Sequence, residues 1–513
     1  MPPRDILRGV IRNILSVFLL LGLASAQNAS VTAAVRAYVS AHEHDILREY
    51  VELLSIPNVA SDSTNIRKNA EHIAAMLNQR GVEARLLDGG GPPIVYGELP
   101  APGAQHTLII YAHYDGQPVD ASQWTSPPWS PVLRDSTGRE VAAKAAPAEI
   151  PGEWRLYARS AGDDKAPIQA VVAALDALRA ARARPTINLK FFFEGEEEAG
   201  SPHLSEAAQK YAELLRADAW LFCDGPVNQT RRMQVYFGAR GVMGLEITLY
   251  GAARSLHSGH YGNWAPNPAA LMANLLAGMR DENARIKIAG FSDDVRPLTE
   301  AEKQAIAATP EVDEQMRREL ALAWTEGEPE TLPMRIMAPA LNIRGVDSGH
   351  VADKAQNAIP TEARASIDFR LVPEQKPDRI RQLVEEHVRK QGFYIVHQAP
   401  TVEDRRAHAK IALLQWDRGY PASRTPMELP VARAVATTIE ETLGTPIVKM
   451  PMLGGSIPMY LFNDVLHTPV VGLPIVNHDN NQHAANENLR LQNLWDGIVV
   501  FTGLMTRLES NWH

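Results

Sequence analysis

Short apolar runs alternate with amphipathic stretches over the first half of the chain. The runs at 106–113, 187–194 and 219–224 are typical of buried strands, whereas 65–81 and 167–184 have the hydrophobic period of helices. This alternation predicts an α/β fold with a layered sheet. Because ligand sites in such folds gather at the carboxyl ends of strands, we expect functional residues directly after the apolar runs.

The pattern changes near Gly238. Apolar and polar residues alternate at 244–251 and again at 363–372, as in strands that expose one face. Helices are predicted over 268–279 and 376–391, and polar loops separate these elements. Their order predicts a small α+β domain inserted into the α/β domain.

The pattern also defines the predicted domain boundaries. From 426 the helices and strands of the α/β type resume, and a length of 513 residues favours more than one domain. We predict one domain built from 31–237 and 426–513, interrupted by the inserted domain over 238–425.

Residues 1–26 differ in character from the rest. Three arginines precede an apolar run over 14–23, and small residues lead to Gln27. This order is typical of a secretory signal peptide cleaved near Ala26, and it predicts a secreted or periplasmic protein. A membrane anchor is the alternative, but the run has about half of the roughly 20 apolar residues that a spanning helix needs, so we expect no stable anchor.

Composition narrows the range of partners. The formal net charge is −9, and no basic cluster occurs after the first arginines, so nothing favours nucleic acid or an anionic membrane as partner. Cys223 is the only cysteine, which excludes an intramolecular disulfide. Its place after an apolar strand favours a packing role for the thiol.

Acidic and imidazole side chains follow five of the predicted strands or lie in loops. The run FFFEGEEEAGS is the clearest case, because several carboxylates at one strand end repel each other unless a cation lies there. Taken singly, each has an ordinary explanation, such as a helix N-cap. The ligand-type residues are His113, Asp115, Asp163, Asp164, Glu194, Glu196, Glu197, Glu198, Asp224, His478, His483 and Glu487.

All five segments together favour a metal site. Histidines, an aspartate able to bridge and further carboxylates suit two zinc or similar divalent ions about 3.5 to 4 Å apart. These segments contribute no cysteine ligand, which favours a catalytic site over a closed structural one. His113 and Asp115 lie on the same side of an extended chain, so the carboxylate can fix the tautomer of the imidazole.

In this order, the segments resemble those of dinuclear zinc metallopeptidase family 20. That family includes carnosinase-like dipeptidases, glutamate carboxypeptidase, acetylornithine deacetylase, succinyl-diaminopimelate desuccinylase and aminoacylase. The resemblance covers nearly the whole chain after the first 26 residues, and WTSPPWSPV, EGEEEAGSP, LHSGHYG, IDFRLVP and LGGSIPM are most similar to the dipeptidase branch. It implies a layered α/β zinc-exopeptidase-like catalytic domain, an inserted smaller α+β domain of ferredoxin-like type that serves as a lid or for dimerisation, and a homodimer.

The resemblance also implies a role for each matching residue. Two divalent ions per chain are expected, zinc in the first place, with manganese and cobalt as alternatives. His113 and Asp224 would hold one ion, Glu198 and His483 the other, and Asp163 would bridge them, with Glu197 as general base and Asp115 as partner of His113. His257 would polarise the scissile carbonyl, often in the site of a neighbouring subunit, while Arg370, Gly455 and Ser456 would bind the substrate carboxylate.

These expectations describe a hydrolase that cleaves the amide bond of a dipeptide or short peptide with a free carboxylate. An N-acyl-amino-acid deacylase with the same metal centre is the alternative, and a non-catalytic scaffold is the rival from another class.

One departure from the family concerns the glycines that flank the bridging aspartate. This chain has Ala158, Ser160 and Ala166 there, where alanine and serine resist backbone angles that glycine accepts.

Overall fold

The computed structural model describes residues 30–142 and 146–513. The predicted signal peptide lies outside these residues. Among them, none of the helices combines the length and the apolar character that crossing a membrane requires. They form two compact units, one made of Thr425–Lys449, Asp464–His513 and the described part of 1–235, the other of Tyr236–Arg424 and Met450–Asn463.

The first unit is built on an eight-stranded mixed sheet. Its three central apolar strands are parallel, and the chain of Phe and Tyr side chains along them is fully buried. In order across the sheet the strands are Glu83–Leu87, Ile94–Leu99, Asn188–Glu194, Thr107–His113, Ala219–Phe222, Val470–Gly472, Gln234–Tyr236 and Val448–Met450.

Helices of the first unit form where the sequence favours them. Lys165–Ala180 is rich in alanine, the strongest helix former, and nearly every residue in it is buried. Asp62 caps Ser63–Asn78 by accepting from the Asn65 amide at 3.1 Å. The remaining helices are 30–54, Leu204–Lys210, Pro430–Leu443 and Leu491–Asn511, and a small sheet joins Val132–Arg134, Arg155–Tyr157 and Asn488–Arg490.

The second unit contains a five-stranded sheet whose apolar core includes residues of two helices, Pro268–Met279 and Pro377–Lys390. Alternation along Gly241–Tyr250 and Glu362–Leu371 directs their apolar side chains into that core. In order, the strands are Ala340–Asp347, Glu362–Leu371, Gly241–Tyr250, Ile411–Trp416 and Tyr394–Val396. The α/β fold with an inserted α+β domain is thereby confirmed.

The segment between the two predicted strands of the inserted domain contains short helices and a strand in addition to the expected polar loops. Three short helices occur there, Glu300–Ala307, Asp313–Glu319 and Leu332–Ile336, followed by the strand Ala340–Asp347. The helices are too short for a clear period, and the strand lies at a sheet edge with most of its residues exposed. A strand exposed on both faces lacks the apolar alternation by which a sequence reveals it.

Candidate metal centre

Parallel strands bring the ligand-type residues of the first unit to one edge of the sheet. His113 ends its strand, and Asn188–Glu194 runs parallel beside it into the glutamate run. Ala219–Phe222 is parallel on the other side and ends two residues before Asp224. The next parallel strand, Val470–Gly472, leads into the last predicted segment. Because parallel strands have their carboxyl ends on the same side, residues distant in sequence meet there.

Two groups of three side chains offer ligand atoms at this edge. Within each group, one nitrogen or oxygen atom of every member lies within 4.8 Å of the others. The first group is His113, Glu197 and Asp224, and the second is Asp163, Glu198 and His483.

Asp163 lies between the two histidines. Its Oδ1 is 2.9 Å from Nε2 of His113, and its Oδ2 is 3.2 Å from Nε2 of His483. The same nitrogen of His483 is 3.2 Å from Oε2 of Glu198. One carboxylate therefore faces both groups, with a different oxygen toward each.

Asp115 connects the first histidine to the glutamate run. Its Oδ1 lies 3.3 Å from Nδ1 of His113, on the ring atom opposite the one that faces Asp163. Its two oxygens also accept from the backbone amides of Glu197 and Glu198, both at 3.1 Å. A single buried aspartate thus orients the imidazole and the turn that carries two further ligand-type side chains.

Charge is poorly balanced at this edge without a cation. Burial and the neighbouring Asp163 raise the pKa of Asp224 to about 7. Burial, together with Asp224 and Glu198, raises the pKa of Glu197 well above its usual range. Hydrogen bonds that the His483 imidazole donates to Asp163 and Glu198 raise the pKa of His483 to about 10. Without metal, protons on the histidines therefore supply the positive charge that divalent ions would otherwise supply. Imidazole and carboxylate groups are also ligands that suit such ions.

Glu487 joins neither group of ligands although it lies only four residues after His483. It is fully buried and accepts from the backbone amides of Ser160, Gly162 and Asp163 at 2.8 to 2.9 Å. It also pairs with Arg159 at 2.8 Å. Its carboxylate therefore holds the loop that carries Asp163, a role that sequence spacing alone does not distinguish from metal binding.

The first two glutamates of the run also face away from the ligand groups. Glu194 accepts from the hydroxyls of Tyr111 and Ser201, and burial raises its pKa to about 8. Glu196 pairs with Nδ1 of His203 at 2.9 Å. Of the four carboxylates, only the last two offer ligand atoms to the groups described above.

The second unit carries the residues expected to bind a carboxylate. Arg370 donates from Nε to Asp368 at 3.0 Å and from Nη1 to the hydroxyl of Ser456 at 2.8 Å. Arg240, which the sequence reasoning missed, donates its backbone amide to the carbonyl of Gly455 at 3.3 Å. Burial and the nearby Arg370 lower the pKa of the Arg240 guanidinium to about 10. Two cations at one place, balanced by a single aspartate, suit a further anion.

His257 lies elsewhere in the second unit, in a two-residue strand paired with Ala358–Ile359. Its side chain is exposed, and its Nδ1 accepts from the amide of Gly259 at 3.1 Å. Because Nδ1 accepts this hydrogen bond, the proton of the neutral imidazole lies on Nε2, which can donate to another group.

Known proteins resemble the chain along most of its length. The model of Peptidase family M20/M25/M40 matches residues 109–507. The Cys-Gly metallodipeptidase dug1 of Schizosaccharomyces pombe is 26% identical over 477 residues, which cover 89% of this chain and 94% of the relative. The Beta-Ala-His dipeptidase of Homo sapiens is 24% identical over 425 residues, covering 82% and 78%. The M20 family metallo-carboxypeptidase Sso-CP2 from Sulfolobus solfataricus has a TM-score of 0.74 at 27% identity, covering 91% and 99%.

The prediction of a secreted or periplasmic protein is wrong. The fungal Cys-Gly metallodipeptidases that the chain resembles are cytosolic enzymes, which removes the support for export. The prediction rested on arginines before a short apolar run. That pattern is local and brief, so it is a weaker signal than likeness along most of the chain.

Likeness over most of the chain confirms the resemblance that the motifs indicated. The family model covers more than half of the chain, and relatives that match most of its length are metallodipeptidases. An enzyme is therefore supported over a non-catalytic scaffold. The chain belongs to peptidase family M20/M25/M40, in which it is a metal-dependent hydrolase of the dipeptidase branch.

Proposed function

We propose that the enzyme hydrolyses dipeptides or short peptides with a free carboxylate, using two divalent ions, zinc in the first place, shared through Asp163. The observation that carries this proposal is the position of Asp163 between His113 and His483, with a separate oxygen toward each. His113 and Asp224 would hold one ion, and Glu198 and His483 the other. Asp115 would keep His113 in the tautomer whose Nε2 is free for a metal.

When bound, the ions supply a water whose pKa is lowered toward about 7 and polarise the substrate carbonyl. Glu197 is the proposed general base that takes a proton from that water. Once Glu197 has accepted that proton, it can pass the proton to the leaving amine. Its backbone amide is held by Asp115 at 3.1 Å, which restricts where the carboxylate can lie.

Arg370, with Ser456 and the backbone at Gly455, is proposed to bind the carboxylate of the substrate. The planar guanidinium offers paired donors that match a carboxylate, and the nearby Arg240 adds a second positive charge. A site for a terminal carboxylate suits small peptides as substrates. Cys-Gly and β-Ala-His, named for the relatives, are the first substrates to test.

Substrate class is tested by comparing Cys-Gly and β-Ala-His with N-acetyl and N-succinyl amino acids. The released amine is quantified for the Zn²⁺-loaded protein and for the protein treated with a chelator. We expect the dipeptides to be cleaved faster and the chelator to abolish cleavage. Faster release from the acyl amino acids would instead support a deacylase with the same metal centre.

Metal loading should release protons. Hydrogen bonds to carboxylates raise the pKa of His483 to about 10 and that of His113 well above its usual range, although burial opposes the charge on His113. Both imidazoles must lose a proton to bind metal, and Asp224, whose pKa is raised to about 7, must lose the proton that it partly carries. At least two protons should therefore leave per chain at pH 7, and Zn²⁺ affinity should rise with pH. Titration calorimetry in buffers of different ionisation enthalpy measures this number.

His203 provides the control for proton release. Its pairing with Glu196 also raises its pKa, but it lies outside both ligand groups. His203→Asn should leave proton release unchanged, whereas His483→Asn should lower it by about one proton. Zn²⁺ affinity rises with pH because the raised pKa of the histidines stabilises the metal-free protein at low pH. This stabilisation is lost as the pH rises through that pKa. Release that is independent of both histidines would contradict the assignment.

A homodimer is also proposed, with His257 of one subunit polarising the scissile carbonyl in the other. Subunit exchange tests this directly. Glu197→Gln and His257→Asn should each be inactive alone, but mixing them should restore about one quarter of wild-type activity, because each mixed dimer has one site with both residues intact. Sedimentation shows whether dimers form. No restoration after exchange, or a fully active monomer, would refute the shared site.

A further inference from the structure

Asn58 lies in the first unit, before the part of the chain that the family model matches, and it contacts two loops of the metal centre. It is fully buried in the segment between the helix 30–54 and Ser63–Asn78. Its Nδ2 donates to the carbonyl of Tyr114 and to the hydroxyl of Ser160, both at 2.8 Å. The first contact is on the loop after His113, and the second is on the loop that leads to Asp163.

The other polar groups of Asn58 are also used. Its Oδ1 accepts from the indole of Trp129 at 3.1 Å, and its backbone carbonyl accepts from the amide of Gly116 at 2.9 Å. Both hydrogens of the side-chain amide and its oxygen therefore form hydrogen bonds within the protein, and these bonds fix the orientation of the amide. Because Asn58 is held in one orientation, its hydrogen bonds can fix the positions of both loops.

Ser160 has an unusual backbone for a residue with a side chain. Its φ is +61°, in the left-handed region that favours glycine, yet the chain has serine there. Its amide donates to Glu487 at 2.9 Å and its hydroxyl to the carbonyl of Asp115 at 3.4 Å. Gly116 leaves room for this hydroxyl, because a Cβ at 116 would collide with it. A strained backbone retained with a fully engaged hydroxyl indicates that the hydroxyl has a use.

We propose that Asn58 and Ser160 form a clasp that sets the separation of the loops carrying His113 and Asp163, and thereby the affinity for the pair of metals. Both are positioning residues, since neither offers an atom to the ligand groups. The inference rests on the proposed role of His113 and Asp163 in metal binding. It accounts for serine at a position whose φ suits glycine.

Two substitutions of Ser160 separate the hydroxyl from the backbone. Ser160→Ala removes the hydroxyl and keeps the Cβ, whereas Ser160→Gly removes the hydroxyl and also relieves the left-handed φ. Both variants should weaken Zn²⁺ affinity, measured by competition with a chromophoric chelator, by about 5- to 150-fold, the range for a buried polar group that loses its partner. Turnover of Cys-Gly at low Zn²⁺ should fall in parallel and recover at saturating Zn²⁺.

A purely structural role for Ser160 gives a different result. Glycine at this φ would then match or exceed the wild type in thermal stability and in Zn²⁺ affinity alike. Thr502→Val is the matched control, because it removes a buried hydroxyl that donates to Val499 at 2.7 Å, away from both loops. It should lower the melting temperature without changing Zn²⁺ affinity.

Coupling between the two residues completes the test. The double variant Asn58→Ala with Ser160→Ala should lose no more Zn²⁺ affinity than Asn58→Ala alone, because each single change already breaks the clasp. Unchanged Zn²⁺ affinity in both Ser160 variants, or additive losses in the double variant, would overturn the clasp. The proposed function would stand in that case as long as the wild type binds two Zn²⁺. Absence of Zn²⁺ binding by the wild type would refute the proposed function itself.

Discussion

Replacing Glu197 with Gln should abolish nearly all peptide hydrolysis while the metal content stays close to two ions per chain. The amide keeps the shape of the side chain but cannot accept a proton, and general acid–base catalysis contributes about 10²- to 10⁴-fold to turnover. In the metal-free protein, burial and nearby carboxylates raise the pKa of Glu197. Elemental analysis and steady-state kinetics on Cys-Gly measure the two quantities separately.

Glu196→Gln is the matched control for this change. Glu196 is the adjacent member of the same acidic run, but it pairs with His203 at 2.9 Å and offers no atom to the ligand groups. We expect turnover close to wild type from it. Substantial activity in Glu197→Gln, or loss of metal from it, would show that the proton acceptor lies elsewhere or that Glu197 is a ligand.

Replacing Asp163 with Ala should remove both ions and, with them, activity. Its two oxygens face different histidines, at 2.9 and 3.2 Å, so one substitution affects both ligand groups. The hydrogen bonds from His113 and His483 hold the pKa of Asp163 well below its usual range although burial opposes this, so it is charged at neutral pH. Without it the remaining carboxylates still repel each other, and Zn²⁺ stoichiometry should fall below about one per chain at micromolar metal.

Asp164→Asn provides the comparison at the neighbouring position. Burial raises the pKa of Asp164 well above its usual range, and its Oδ2 accepts from the amide of His113 at 3.2 Å. An amide can replace a protonated carboxyl there, so both ions should bind as in the wild type. Two-ion stoichiometry retained by Asp163→Ala would refute the bridge.

Much of the fold follows from local patterns. The helix predicted over 65–81 is Ser63–Asn78, and the strand predicted over 106–113 is Thr107–His113, because buried strands and amphipathic helices each impose a period on the sequence. The strands Ala340–Asp347 and Ile411–Trp416 were missed. The first exposes most of its residues and so lacks the alternation that identifies a strand. The second has an apolar run of four residues, which is too short to distinguish a strand from a helical segment by its period.

The types of residue in the metal centre could also be read from the sequence, as could their positions after strands. Parallel pairing of Thr107–His113 with Asn188–Glu194 explains why His113 and the glutamate run meet. Spacing could not show which carboxylates face the ligand groups. Glu194 accepts from buried hydroxyls and Glu487 from backbone amides, although both are acidic residues in the expected segments.

By itself, the sequence determined the class of fold, the chemistry of the site and the family, because these depend on residue types and on their order along the chain. Only the tertiary structure decided which oxygen of Asp163 faces which histidine, that Glu487 holds the loop and that Asn58 reaches Ser160. The members of these pairs are separated by 50 to 328 residues in the sequence, and their contacts also depend on side-chain direction. Hydrogen bonds are sensitive to tenths of an ångström and to angle, and such geometry exists only once distant segments have packed together.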